Sequence, residues 1–153
     1  MVSIGGHDPT LGTVQLGQLI ELYREHGRLP ELEILVGRAV EQRPELVTGR
    51  LIAARVAAET GKLEDAREQL VPLVSDDFAS LPRDVTWPGS LACVAEVAAT
   101  TGWRDVAVAM VDYLRPFEGQ LLVVGRVWSP GAAARFTAMS LAALAEWEEA
   151  EEH

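Results

Sequence analysis

Only one cysteine, Cys93, occurs in 153 residues, which excludes an internal disulfide framework and fits a reducing compartment. Lysine is just as scarce, with Lys62 alone among 13 basic residues. That arginine bias, with abundant Ala, Val and Gly, matches the coding habit of a GC-rich bacterial genome. No stretch approaches 18 consecutive apolar residues, so no membrane-spanning helix is expected. The first twelve residues, Met1 to Gly12, lack the charged-then-apolar pattern of a secretory leader. Positive charge is in deficit too: 23 acidic against 13 basic residues leave a formal charge of −10. A chain with a pI near 4.7 has no basic patch with which to displace counterions from a phosphate backbone or to meet an anionic membrane surface. The excess acid reads as a solubility feature. Trp147 to His153 alone hold four glutamates. The expectation is a cytoplasmic protein with no nucleic-acid or membrane partner.

At 48% hydrophobic the chain has enough apolar material for one domain with a core. Its organisation is repetitive. Gly27, Gly61 and Gly102 each follow an Ala/Leu-rich stretch and open an amphipathic one, and the segment Leu144-Ala145-Glu146-Trp147 stands in the same place with Ala instead of Gly. Glycine suits the left-handed turn that ends a helix. Five residues past each turn lie Leu32, Ala66, Ala107 and Ala150, then Val36, Leu70 and Val111, then Ala39, Leu73 and Leu114, an i, i+4, i+7 stripe that marks one buried helix face. Seven residues before the turns lie Ile20, Ala54, Ala95 and Ala138, and four before them Tyr23, Ala57, Ala98 and Leu141. Small residues there let two helices approach closely. Gly27 to Gly61 is 34 residues, the tetratricopeptide period, and Pro44 falls where the second helix of such a repeat ends.

This predicts an all-α fold, a right-handed α-solenoid of tetratricopeptide-like helical hairpins. Residues 1–10 form an N-terminal tail and 11–153 the repeat domain, its last repeat incomplete. The helices expected are Gly12–His26 with Pro30–Gln42, Pro44–Thr60 with Leu63–Ser75, and Pro88–Thr101 with Trp103–Arg115. A final pair starts near Gly131, turns at Leu144 and restarts at Trp147. The second helix of that pair stops after about two turns, as in a chain that is a piece of a longer array. Later spacings widen to 41 and 43 residues, the surplus falling in Asp76–Trp87 and Pro116–Pro130. Loops of this length in a repeat domain are commonly functional or disordered, and apolar Phe78, Leu81, Trp87, Phe117, Leu121–Val124 and Trp128 argue against disorder.

Those loop residues also carry a resemblance. Asp76-Asp77-Phe78, Leu81-Pro82-Arg83-Asp84, Trp87, Gly125 after the Leu121–Val124 run, and the Leu144–Ala150 close together resemble the C-terminal helical-repeat region of large bacterial signalling ATPases. Those proteins carry an ATPase core and, in some, a nucleotide cyclase or helix-turn-helix domain. The likeness covers Leu16 to His153. It implies a sensing or protein-interaction segment. The chain has no Gly-x-x-x-x-Gly-Lys-Ser/Thr phosphate loop, so no ATPase or cyclase chemistry carries over.

Nothing in the sequence forms a catalytic constellation, a cofactor motif or a metal-ligand spacing. His7, His26 and His153 are far apart, and Cys93 lies on an Ala/Val face without a neighbouring ligand. Glu148/Glu149 are adjacent on a helix and do not face one another. Asp76/Asp77 suit a loop cap, and Ser129-Pro130-Gly131 suits a helix start. The residues with the strongest claim to a partner or ligand are Arg83, Asp84, Trp87, Arg126, Trp128 and Arg135, in or beside the two long loops. Trp and Arg are the usual anchors of interfaces. The competing account has Asp84 pairing with an arginine and the tryptophans capping the core. A rival location is the concave face made by the first helices, where Arg50, Arg55 and Glu59 stand. The function expected is a non-catalytic protein-interaction or regulatory module of a bacterial signalling or transcription regulator, its partner another protein or domain, with a homodimer also open. The alternatives are a small-ligand sensor built on the two loops and a non-catalytic subunit of an enzyme complex.

Overall fold

A computed structural model describes residues 18–124 and 128–151, with side chains at all of these except 124, 128 and 146–151. The described part of the first helix, α1, covers 18–25. A 3-10 turn, Leu29–Leu32, leads into α2 (Glu33–Gln42), followed by α3 (Val47–Glu59), α4 (Leu63–Ser75), α5 (Trp87–Thr101) and α6 (Arg104–Leu114). Two short strands, β1 (Leu121–Val124) and β2 (Trp128–Ala132), then precede α7 (Ala133–Glu151). The described structure is mostly helical, and no described helix is long and apolar enough to cross a membrane.

Glycine sets the hairpins. Gly27, Gly61 and Gly102 have φ of 65°, 84° and 66°, values that cost an L-residue about 1–2 kcal/mol. Each closes its helix with the same pair of bonds. Arg28 N–H reaches Tyr23 O at 2.8 Å and Gly27 N–H reaches Arg24 O at 3.0 Å; Lys62 to Ala57 and Trp103 to Ala98 repeat the first of these at 2.8 and 2.9 Å. The carbonyls orphaned at a helix end are satisfied in this way three times over.

Packing follows chain order. α3 packs on α2, α4 and α5, α5 on α4, α6 and α7, and α6 on α7. The main core runs through Leu51, Ala54, Leu70, Leu91, Ala95, Met110 and Phe136, and a smaller one joins Ile20, Leu29, Leu32, Val36, Ile52 and Val56. The expected stripes hold at Ile20, Ala54, Ala95, Leu32, Ala66, Ala107, Val36, Leu70, Leu73 and Leu114, all buried, whereas Ala39 is exposed.

Three expectations need correction. The segment Pro116–Pro130 is not all loop: β1 and β2 pair antiparallel, Leu121 opposite Ala132, with an irregularity between Leu122 and Val124. The run Leu121–Val124 is short, apolar and ends in two β-branched residues, which favour a strand; Leu122 enters the main core, while Leu121 and Val123 are exposed. Second, no turn forms at Leu144-Ala145-Glu146. α7 continues to Glu151, because alanine and glutamate favour the helix and nothing there offers a cheap left-handed residue. Third, Ala138 and Leu141 are exposed instead of buried, while Ala133, Phe136, Ser140 and Ala143 form the inward face of α7.

Candidate functional site

The first long loop is anchored by its apolar residues. Asp77 and Phe78 take positive φ, 52° and 60°, in a turn closed by Phe78 N–H to Leu73 O at 2.7 Å. Burial of the Phe78 ring against Tyr113, edge to face at 5.6 Å, offsets that backbone cost. Trp87 opens α5, is 8% exposed and meets the same Tyr113 ring at 6.0 Å. Arg83 lies over the Trp87 ring, guanidinium carbon 4.3 Å from its centroid, a cation–π contact on the outer side. Among the described residues, Asp84 pairs with no arginine. Its Oδ1 accepts from the Thr86 N–H at 2.8 Å and hydroxyl at 2.6 Å, and those bonds hold its carboxyl below the usual range. Arg83, Asp84 and Trp87 therefore form one group, and its work is to start α5 and close the core.

Arg135 belongs elsewhere. It donates to Pro130 O at 3.3 Å and approaches Glu96 at 3.5 Å. Glu96 is nine residues along α5 from Trp87, roughly 13 Å of helix. Arg126 and the side chain of Trp128 lie outside the described residues. The four described candidates, Arg83, Asp84, Trp87 and Arg135, thus do not converge on one pocket.

What does converge is a charge cluster on the odd-numbered helices. Glu96, only 5% exposed, receives Arg55 at 2.8 Å and Arg24 at 3.0 Å. Arg55, 6% exposed, also meets Glu21 at 2.6 Å and Glu59 at 3.4 Å. Arg24 reaches Glu59 at 3.0 Å. With Arg135 at the rim, three arginines balance three glutamates across α1, α3, α5 and α7. Burial alone would lower the Arg55 pKa; Glu96 and the neighbouring carboxylates more than offset this and hold it high. Desolvation raises Glu59, opposed by Arg24 and Arg55 and reinforced by Glu96 and Glu21. Burial likewise pushes the Cys93 thiol up to about 12, and its sulfur donates to Leu51 O at 3.2 Å. A thiol so held stays protonated and is a poor nucleophile. Arg55 and Glu59 are thus committed within the fold, while Arg50 bonds Pro44 O at 3.3 Å.

Sequence reading passed over Glu21, Arg24 and Glu96, although a signal exists. Glu21, Arg55 and Glu96 each stand six residues before a turn glycine: acid, base and acid at one register of three successive first helices. Glu96 is also the sole charge in α5, and a lone charge in an apolar helix needs a partner.

No family model, curated protein or solved structure matches the chain.

Two clefts among the described residues are each about the size of one side chain. One of about 160 Å³ lies between α2 and α4 over Ala53, Val56 and Ala57, and one of about 150 Å³ lies beside Tyr23, His26 and Arg28. No group of three or more His, Cys, Asp or Glu among the described residues is placed to hold a metal. An exposed apolar stripe lies on α7. Ala134, Ala138, Leu141, Ala142 and Ala145 are all exposed, a stripe over three turns on the side opposite Phe136 and Ser140.

Proposed function

We propose that this chain is a non-catalytic protein-interaction module, a right-handed tetratricopeptide-like solenoid whose open face on α7 receives a helix. The observation that carries this reading is the contrast in register. Ala54 and Ala57 in α3, and Ala95 and Ala98 in α5, are buried, and each of those helices packs on the one that follows it. The repeat period, continued past the last turn glycine, reaches Ala138 and Leu141 in α7, but these face away from the core there, and Leu141 is 50% exposed. An apolar helix face without a neighbour among the described residues fits a binding surface. Charge favours a protein over nucleic acid as the occupant, since a chain of net −10 repels phosphate. The resemblance to the repeat region of bacterial signalling ATPases supports a cytoplasmic regulatory setting. The sensor reading has less behind it, because Trp87 is used in the core.

The test is recovery of partners from a lysate by immobilised chain, wild type against Leu141→Glu. We expect the variant to lose a protein that the wild type retains; identical recovery by both sinks the reading.

A further inference from the structure

We infer that the occupant of the α7 face is a second copy of this chain, its α7 lying antiparallel to the first. The inference rests on the interaction-module reading above and names its partner. Three features of the helix point to self-pairing in this direction. The seam positions Ala134, Ala138, Leu141 and Ala145 are spaced four, three and four, as in a helix–helix seam, and that spacing reads the same from either end. Turned end for end about its midpoint, the seam sets Ala134 against the copy's Ala145, and Leu141 against the copy's Ala138. The one large side chain then meets a small one, on both sides of the two-fold axis. A parallel pair would stack Leu141 on Leu141 and leave a gap between the alanines.

Charge agrees with this direction. α7 has Arg135 in its first turn and Glu146, Glu148, Glu149 and Glu151 in its last two. This is the reverse of what an isolated helix dipole favours, with base at the positive end and acid at the negative end. In an antiparallel pair each acidic end lies beside the positive N-terminal end of its neighbour; in a parallel pair acid meets acid. The helices that follow α3 and α5 in their hairpins also return antiparallel across tight turns, so the copy's α7 would take the place that a hairpin's own second helix takes elsewhere. A seam of three turns is smaller than a standard stable interface, so the dimer is weak and concentration-dependent.

Sedimentation equilibrium of the full chain tests this. The expected result is a mass rising from 16.6 kDa toward twice that as concentration approaches the millimolar range, with Leu141→Glu monomeric throughout and unchanged in helical content. Direction is read by oxidising Ala134→Cys and Ala145→Cys chains. The mixture should cross-link between the two variants, and each alone should not, because like positions are roughly 16 Å apart along the axis. A dimer indifferent to Leu141→Glu, or Ala134→Cys linking to itself, overturns the proposed pairing. A chain monomeric at every concentration overturns it as well, yet leaves the module reading standing if Leu141→Glu still loses a partner from lysate.

Discussion

The two ends of this helix stack are fastened differently. At the α1 end a small apolar cluster of Ile20, Leu29, Leu32, Val36, Ile52 and Val56 is supplemented by ion pairs that run from Glu21 and Arg24 to Arg55, Glu59 and Glu96. At the α7 end Ala133 and Phe136 join the main core, and the ion pair described there is the rim contact of Arg135 with Glu96. The hydrophobic driving force is non-directional, whereas a buried ion pair is strongly distance-dependent and costly to leave unpaired. The α1 end is thus held in one register, and the α7 end is held firmly on one side and left open on the other.

Removing the centre of the ionic fastening should have the largest effect. Glu96→Ala leaves Arg55 buried beside Glu21 and Glu59 without the most buried of its counter-charges, and a broken buried pair costs about 3–5 kcal/mol. Urea unfolding should show that loss. The result that would break the comparison is a change no larger than that of a surface substitution. Replacement of Phe136, 1% exposed, by Ala tests the other end at about 3–5 kcal/mol. The two losses should differ in kind: only the Glu96→Ala protein should show increased amide exchange in α1.

Backbone substitutions give a smaller effect of opposite sign at two glycines. Gly102 caps α5 at φ 66°, so Gly102→Ala should destabilise by about 1–2 kcal/mol. Gly37 lies inside α2, and an added Cβ there meets nothing within 4 Å; Gly37→Ala should stabilise by about 0.5–1 kcal/mol. Thermal melts of the two variants should move in opposite directions, and equal shifts would contradict the assignment of Gly102 as a turn residue.

These contrasts also show how far the sequence could be read. Hairpin boundaries were legible because glycine leaves a local mark wherever a helix must end left-handed; Leu63–Ser75 was placed to the residue. The false turn at Ala145 came from extending the period to a position that lacks that mark. The β-hairpin escaped because a repeat register assigns everything between helices to loop, although Leu121–Val124 carries a strand signature. Burial at Ala138 and Leu141 was expected from register alone, but register says which face is apolar, and only a neighbour buries it. Of the candidate residues, Arg83, Asp84 and Trp87 lie together, and their described contacts serve the fold. The ionic cluster is long-range: residues 21, 55 and 96 meet only because successive first helices stack, so its pattern shows across repeats and not within any one helix.

The smallest expected effect concerns the protonation of that cluster. Desolvation holds the folded pKa of Glu59 above the ordinary 4.5, and Arg24 and Arg55 oppose it only in part. The folded chain therefore holds the Glu59 proton more tightly than the unfolded chain does. Its contribution to stability is fully present below pH 4.5 and is lost as pH rises through the folded value. Asp84 acts in the opposite sense, since its folded pKa lies below 3.8: its contribution is present above that value and is lost as pH falls through the folded one. Glu59→Gln should thus be closest to wild type in stability at pH 7, where ionised Glu59 is least favourable to folding, relative to the difference found near pH 4.5. Asp84→Asn should show its deficit at pH 7 and lose it as pH falls through the folded value of Asp84. Denaturant titrations of both variants and the wild type at these pH values measure the two trends. Parallel pH profiles for Glu59→Gln and wild type would mean that the arginines fully neutralise Glu59, and the α1 end would then be fastened by charge without any cost of burial at that position.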